Sequence, residues 1–226
     1  DITARWRRVF EEAGGGCAFT DCTTGAGIKE LPDAVRELLA DKLARFEEKG
    51  MSGRAVRAMV VGIPNVGKST LINRPAGAKK ARTEDRPGVT LKKQWIKAQG
   101  GLDLLDMPGV LWPKFEEKRV GENLALTGAI RDAILDTEEL AVILCNRLRN
   151  LYPDLLCARY KLGGREEIAE LTDYELFQLI GRKRGFLISG GEVSDERTAV
   201  MLLDEFRGSK IGRISLERPE PVRNRS

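Results

Sequence analysis

The chain has 226 residues, of which 42% are hydrophobic and 32% charged, and its formal net charge is +4. No apolar run approaches the ~20 residues of a membrane-spanning helix, so we expect no membrane insertion. The sequence contains no histidine, which excludes histidine-based catalytic triads and histidine metal sites from these residues. The mild basic excess is compatible with an RNA partner but does not require one.

In chain order, the first half predicts alternating helices and strands. Residues 2–12 carry apolar side chains at helical spacing, and 17–20 form a candidate buried strand before a glycine-containing turn. One amphipathic helix follows, with its apolar face between Val35 and Phe46, and Gly50 ends it. Ala55 to Gly62 is apolar enough for a fully buried strand.

The next segments complete an α/β pattern. A helix is predicted to begin at Gly67, and 76–87 is polar and loop-like. Residues 94–98 and 102–105 are short strand candidates on either side of the Gly100-Gly101 turn. The expected fold is an α/β P-loop NTPase domain with a mainly parallel sheet.

From Gly121 onward the pattern becomes helical. Capping-box spacing after Asp136 and Thr172 predicts two helix starts, and Gly208 is a natural helix end. We therefore predict an α-helical C-terminal domain over 121–226, preceded by a nucleotide-binding domain over 1–120. The helices are expected over these segments: 123–134, 138–152, 171–180 and 197–206.

A phosphate-binding loop is the strongest motif. Residues 62–69 read GIPNVGKS and match GxxxxGK[ST], directly after a strand and before a helix. In such loops the backbone N–H groups and the helix N-terminus face a phosphate, the lysine reaches the β and γ phosphates, and the hydroxyl binds Mg²⁺. The expected nucleotide contacts are Asn65, Val66, Gly67, Lys68, Ser69 and Thr70. Pro75 is a departure within the following helix, where it should shorten or kink the helix.

A second motif favours GTP over ATP as the bound nucleotide. Asp106-Met-Pro-Gly109 follows a hydrophobic strand and resembles the DxPG switch motif of translation-factor-like GTPases. The resemblance implies that Asp106 acts on Mg²⁺ through water and that the Gly109 N–H contacts the γ-phosphate. Thr90 resembles the switch threonine whose hydroxyl completes the Mg²⁺ shell. We expect Lys68, Thr90, Asp106 and Gly109 to carry catalysis, and Ser69, Thr90 and Asp106 to bind the metal.

The guanine-reading motifs indicate a circular permutation. No NKxD tetrapeptide follows Gly109. Residues 19–25 resemble the last GTPase motif, usually written SAK, although they precede the phosphate loop. In that comparison the Cys22 N–H faces the guanine O6, and Asp21 stands beside it. We therefore expect the NKxD motif to precede Asp1, in a longer protein of which this chain is a part.

Taken together, the chain resembles the ribosome biogenesis GTPase A family, from about residue 6 to residue 219. The stretches that carry the resemblance are GIPNVGKSTLIN at 62–73, DRPGVT at 85–90, LLDMPGVLWPKFE at 104–116, LALTGAI at 124–130 and KRGFLISGG at 183–191. The family implies a circularly permuted GTPase domain and a GTP-hydrolysing assembly factor that uses Mg²⁺. It also implies the large ribosomal subunit and rRNA as partners. We expect a cytoplasmic location and a monomer, although the sequence itself does not give the oligomeric state. Four cysteines without a CxxC pair fit that reducing compartment.

The resemblance also indicates how hydrolysis is assisted. Val110 stands where Ras-like enzymes place a water-orienting glutamine, and a valine cannot form that hydrogen bond. Asn65 resembles the asparagine that binds K⁺ in related GTPases. We therefore expect slow basal hydrolysis that a ribosomal particle stimulates. Trp112 and Phe115 either pack at a domain interface or make functional contacts.

A basic surface on the helical domain is the candidate contact with rRNA phosphates. A merely solvated surface is nearly as compatible with the sequence. The residues are Arg182, Lys183, Arg184, Arg213, Arg218, Arg223 and Arg225.

Two other functions fit the same residues. An ATP-using P-loop enzyme such as a small kinase would share the phosphate loop but should lack DxPG. A GTP-gated scaffold that binds RNA or the ribosome would keep the nucleotide site with little catalysis of its own.

Overall fold

The computed structural model describes residues 2–76, 93–111, 115–130, 132 and 135–219. The chain divides into two units, one of Asp1–Trp112 with Arg218–Ser226 and the other of Pro113–Glu217. The boundary expected after residue 120 stays a prediction.

The first unit begins with helix α1, Ile2–Glu12, which confirms the helix predicted there. The strand predicted at 17–20 is wrong: these residues form no strand, and Phe19 is 46% exposed. A strand is stable only when a neighbour pairs with its N–H and C=O groups. Among the described strands, none pairs with 17–20. The guanidinium of Arg7 instead lies over the Phe19 ring, 4.5 Å from its centroid.

The amphipathic helix predicted between residues 35 and 46 is two helices, α2 (Leu31–Leu38) and α3 (Ala40–Glu48). The backbone breaks at Leu39, whose φ and ψ are −104° and 12°. The break leaves Leu38 62% exposed, whereas Val35, Leu39 and Leu43 pack against the sheet.

A three-stranded mixed sheet lies at the centre of this unit. Its strands are β1 (Val56–Val60), β2 (Gln94–Ala98) and β3 (Leu102–Asp106), in the order β1-β3-β2. β1 and β3 are parallel, whereas β2 and β3 are antiparallel. The expectation of a mainly parallel sheet therefore does not hold for the described strands. The reason is the Gly100-Gly101 turn, whose two positive φ angles (73° and 71°) suit a tight hairpin.

Within the described residues, an apolar cluster covers one face of the sheet. Helix α4, Lys68–Ala76, contributes Ile72 to that cluster, which also contains Val56, Ile96, Leu102 and Leu104. Alternate side chains of a strand point to opposite faces. The prediction that β1 is fully buried is therefore wrong, since its other face carries exposed Arg57 and Met59.

The second unit is helical, as predicted. The six helices described are α5 (Lys118–Leu126), α6 (Thr137–Leu151), α7 (Pro153–Tyr160), α8 (Arg165–Ala169), α9 (Asp173–Lys183) and α10 (Asp195–Arg207). Helix α6 packs against α9 and α10 around a core that includes Leu144, Leu148, Phe177, Ile180 and Leu202. Two short helices, α7 and α8, were not predicted from the sequence, and α5 begins and ends earlier than the predicted 123–134 segment.

Helix caps in this unit confirm the spacing arguments. The Asp136 carboxylate accepts hydrogen bonds from the N–H groups of Glu138 and Glu139, both at 3.0 Å. Thr172 and Glu175 form a complete capping box at the start of α9. Within the residues that the structure describes, no helix has both the length and the apolar character needed to cross a membrane.

A buried carboxylate joins three elements of the helical unit. Glu205 on α10 accepts hydrogen bonds from Arg159, Tyr160 and Arg184 at distances of 2.6–3.0 Å. The hydrogen bonds from Arg159 are the largest cause that lowers the pKa of Glu205, with Tyr160 and Arg184 adding to it. Burial and the same carboxylate raise the pKa of Tyr160. The cluster therefore holds α7, α9 and α10 together around an ionised glutamate.

Candidate functional site

The segment between β1 and α4 curls as a phosphate loop should. Asn65 and Gly67 both adopt positive φ angles, 55° and 93° respectively. Such angles turn successive backbone N–H groups toward one side, and glycine adopts them without strain. The Leu71 N–H donates to the Gly67 carbonyl at 2.9 Å, so helical hydrogen bonding begins at the end of the loop. Asn65, Val66 and Gly67 are exposed, which leaves this concave backbone open to solvent.

The Lys68 side chain folds over this loop. Its Nζ donates to the Ile63 carbonyl at 2.6 Å. Burial lowers the pKa of the Lys68 ammonium, and the nearby negative charge of Asp106 opposes that shift. The ammonium therefore already lies inside the loop, close to an acidic group.

Asp106 ends β3 and is fully buried. It lies opposite Val60, the last residue of β1, in the parallel pair. The carboxyl ends of parallel strands meet at one edge of a sheet. The phosphate loop that follows β1 and the Asp106–Gly109 segment that follows β3 consequently leave the sheet side by side.

Gly109 marks the closest approach of the two motifs. A Cβ added at Gly109 would lie 2.7 Å from both the Cα and the N of Pro64, and 3.0 Å from Lys68 Nζ. The next residue, Val110, donates its N–H to the Gly62 carbonyl at 3.4 Å. Only a glycine fits this position without displacing the loop backbone.

The oxygen groups beside the loop suit Mg²⁺. Ser69 lies half-buried in the first turn of α4, and Asp106 is fully buried at the neighbouring strand end. Hydroxyl and carboxylate oxygens are the hard ligands that this ion prefers, with water and phosphate completing its shell. No group of three or more cysteine, aspartate or glutamate side chains suited to a metal occurs among the described residues.

The turn at residues 21–25 is tied to the same helix. Asp21 Oδ1 accepts hydrogen bonds from the N–H groups of Thr23 and Thr24, at 2.7 and 3.1 Å, which closes the turn on itself. From the last turn of α4, Arg74 donates Nε to the Cys22 carbonyl at 2.8 Å and Nη2 to the Thr23 carbonyl. Burial raises the pKa of the Cys22 thiol, with Asp21 adding to the shift and Arg74 opposing it.

Comparison with known proteins identifies relatives along almost the whole chain. A protein called ribosome biogenesis GTPase A from Priestia megaterium is 47% identical over 219 residues, which cover 96% of this chain and 75% of that protein. Its namesake from Bacillus licheniformis is 45% identical over 221 residues, covering 98% of this chain and 77% of that protein. The chain belongs to the ribosome biogenesis GTPase A family.

Two further comparisons agree with this family. Residues 57–159 match the model of a family described as 50S ribosome-binding GTPase. The solved GDP-bound structure of TM YlqF aligns with a TM-score of 0.58 at 24% identity, covering 97% of this chain and 78% of that one. The GNP-bound YlqF from T. maritima aligns with a TM-score of 0.54. The fold is therefore that of a P-loop GTPase domain with additional helices, as the sequence predicted.

The structure brings most of the predicted site together in the first unit. The 65–70 segment lies beside Gly109, which closely approaches Pro64 and Lys68, and Asp106 is near enough for its charge to act on Lys68. Asp21 and Cys22 lie beside the far end of α4. Thr90 and the rest of 77–92 lie outside the described residues. Helix α4 runs to Ala76, one residue past Pro75.

Sequence reasoning missed Arg74, whose partners Cys22 and Thr23 are more than 50 residues away along the chain. No short motif encodes such a contact.

Fewer residues of the predicted basic surface are exposed than expected. Arg182 and Lys183 are exposed at the end of α9, whereas Arg184 pairs with Glu205 and lies over the Tyr160 ring, 5.0 Å from its centroid. The sequence placed Arg184 in the cluster because its buried partner is 21 residues away. Of the other basic residues, Arg213 and Arg218 are exposed, and Arg223 and Arg225 lie outside the described residues.

Two predicted aromatic contacts fall near the boundary between the units. Trp112 lies outside the described residues. Phe115 is half-buried in the helical unit, where its ring lies 3.3 Å from the place of a Cβ on Gly121.

Proposed function

We propose that this chain binds guanine nucleotides at the phosphate loop and hydrolyses GTP to GDP and phosphate. Its role is that of an assembly factor for the large ribosomal subunit, and it works in the cytoplasm as a monomer. The observation that carries the nucleotide site is the packing of Gly109 onto Pro64 and Lys68. This contact joins a phosphate-binding motif to a switch motif at one strand edge. The names of the relatives and of the matching family support the ribosomal role.

In this site each residue has a distinct role. The backbone N–H groups from Asn65 to Thr70 hold the phosphates, and the Lys68 ammonium leaves the Ile63 carbonyl to reach the β and γ phosphates. The Gly109 N–H binds a γ-phosphate oxygen. In this proposal Ser69, Thr90 and Asp106 would hold Mg²⁺, Asp106 through water. When bound, this ion supplies positive charge that neutralises the phosphates during transfer to water.

The base is read by the turn that Asp21 closes. The Cys22 N–H faces the guanine O6, an acceptor that adenine replaces with an amino group. This role makes the chain circularly permuted, because its base-reading turn precedes the phosphate loop.

The residue at position 110 explains why we expect the isolated enzyme to activate the attacking water poorly. Val110 is 69% exposed at the position where Ras-like enzymes use a glutamine, and its side chain cannot orient water. We propose that a K⁺ ion held by Asn65, or a group on the ribosomal particle, supplies the missing assistance. Basal hydrolysis is therefore slow and is stimulated by the particle.

The helical unit contributes the rRNA contact in this proposal. Arg182, Lys183 and Arg213 are exposed cations that bind phosphates without strong sequence preference. Ribosome binding should accordingly weaken steeply as salt is raised.

The test is GTP hydrolysis with and without large ribosomal subunits. We expect a slow rate alone and a rate at least tenfold higher with the subunits. Small ribosomal subunits serve as the control particle and should have no effect. Equal rates under all three conditions would contradict the assembly role, although nucleotide binding could persist.

A GTP-gated scaffold is the second candidate, since the exposed Val110 favours little catalysis by the chain itself. It predicts equal hydrolysis rates with and without the subunits, together with GTP-dependent ribosome binding that cosedimentation with the subunits would measure. An ATP-using enzyme would be identified by competition, because ATP would then displace fluorescent GDP as effectively as GTP does.

A further inference from the structure

Helix α4 connects the two ends of the proposed nucleotide site. Its first turn follows the phosphate loop and carries Lys68 and Ser69, and its last turn carries Arg74. These ends are separated by six residues, or about 9 Å along the helix axis. The same helix therefore faces the phosphates at one end and the turn at residues 21–25 at the other.

The contact between Arg74 and the turn is a two-point contact. The planar guanidinium donates Nε to the Cys22 carbonyl at 2.8 Å and Nη2 to the Thr23 carbonyl. Arginine presents these donors in a rigid fork, so two bonds fix direction as well as distance. Holding both carbonyls fixes the two peptide planes that flank Thr23. A Cβ on Gly25 would lie 3.5 Å from Arg74 Nη1, so the guanidinium also lies beside Gly25 in the turn.

Among the described strands, none includes or pairs with residues 17–20, which lead into the turn. The Asp21 carboxylate accepts two N–H hydrogen bonds within the turn. Contacts with other elements therefore help to fix the position of the turn relative to the phosphate loop. The contact with Arg74 comes from the element that also begins at the phosphate loop.

We propose that Arg74 is a positioning residue for guanine recognition, holding the Cys22 N–H where it meets the base while α4 holds the phosphates. This proposal rests on the proposed function. Arg74 does not touch the reacting phosphates. It acts through the turn, so it affects the base-specific part of binding and leaves the phosphate-specific part unchanged.

The test compares GDP and ADP binding to the full chain, wild type and Arg74→Ala, by titration in the presence of Mg²⁺. ADP shares the phosphates and ribose of GDP but lacks the O6 acceptor. We expect Arg74→Ala to weaken GDP binding about tenfold with ADP binding unchanged. Arg74→Lys should recover part of the loss, since an ammonium keeps the charge but not the rigid fork.

Arg36→Ala is the matched control. Arg36 also donates to a distant backbone carbonyl in the same unit, that of Gly100 at 2.5 Å. Its loss should leave the ratio of GDP to ADP affinity unchanged. Thermal unfolding of each variant monitors the fold, and the Arg74→Lys variant carries the test if Arg74→Ala is unstable.

The outcomes separate the two levels of the proposal. Equal weakening of GDP and ADP by Arg74→Ala would show a general structural role and overturn the positioning role. An unchanged GDP affinity would overturn it as well. If the wild-type chain fails to prefer GDP over ADP, the proposed function itself fails, and the role of Arg74 fails with it.

Discussion

Replacing Gly109 with alanine should separate the switch segment from the phosphate loop. The added Cβ would lie 2.7 Å from two backbone atoms of Pro64, whereas nonbonded carbon atoms prefer about 3.5–4.0 Å. The proline ring limits how far that backbone can adapt, so the segment must retreat by about 1 Å. Overpacking of this kind costs about 1–3 kcal/mol, and 1.4 kcal/mol corresponds to a factor of ten. The close approach should therefore become about 5- to 150-fold less populated.

The assay is single-turnover hydrolysis of GTP, together with GDP affinity. We expect Gly109→Ala to reduce hydrolysis at least fivefold and to change GDP affinity little, because GDP lacks the γ-phosphate that Gly109 contacts. Gly16→Ala is the control, since its Cβ would make an ordinary contact at 3.4 Å with the Leu38 side chain. Unchanged hydrolysis by Gly109→Ala would refute the reasoning about this contact.

Three further predictions concern the helical unit. Glu205→Gln should destabilise this unit by about 2 kcal/mol, less than the roughly 3–5 kcal/mol of a fully buried pair, because the partner arginines are about a third exposed. The folded-state pKa of Glu205 is lowered, so the ionised carboxylate stabilises the fold at pH values above its ordinary pKa of 4.5. This stabilisation is lost as the pH falls through the lowered pKa. Unfolding measured against pH should show this loss in the wild type and not in the variant. Thr172→Ala should cost about 1 kcal/mol through the lost cap, and an unchanged melting temperature would argue against that cap. The double variant Arg182→Ala with Lys183→Ala should weaken ribosome binding and flatten its salt dependence, measured by cosedimentation at several salt concentrations, whereas an unaltered salt slope would remove these two residues from the interface.

Much of the nucleotide site could be predicted because its motifs are local. The GIPNVGKS loop, the strand before it and the helix after it depend on neighbouring residues, and all three appear where expected. The strands on either side of the Gly100-Gly101 turn were also predicted, although their antiparallel pairing was not. These features need no knowledge of distant contacts.

The features that sequence did not predict depend on contacts between distant segments. The 17–20 segment has strand-like composition, but a strand exists only with a partner. From the sequence alone Arg184 is expected to be a surface cation, but in the fold it pairs with Glu205. From the sequence alone Arg74 is expected to be an exposed helix residue without a partner, but in the fold it donates to the Cys22 carbonyl. For both arginines the deciding partner is more than 20 residues away along the chain.

Titration of the wild type and of the Lys68→Ala variant with fluorescent GDP tests the phosphate loop most directly. Our account predicts saturable, Mg²⁺-dependent binding that GTP displaces at much lower concentration than ATP does. It also predicts a loss of at least tenfold in affinity when the Lys68 ammonium is removed. Equal affinity of the two proteins for GDP would mean that the nucleotide, if bound at all, lies somewhere else.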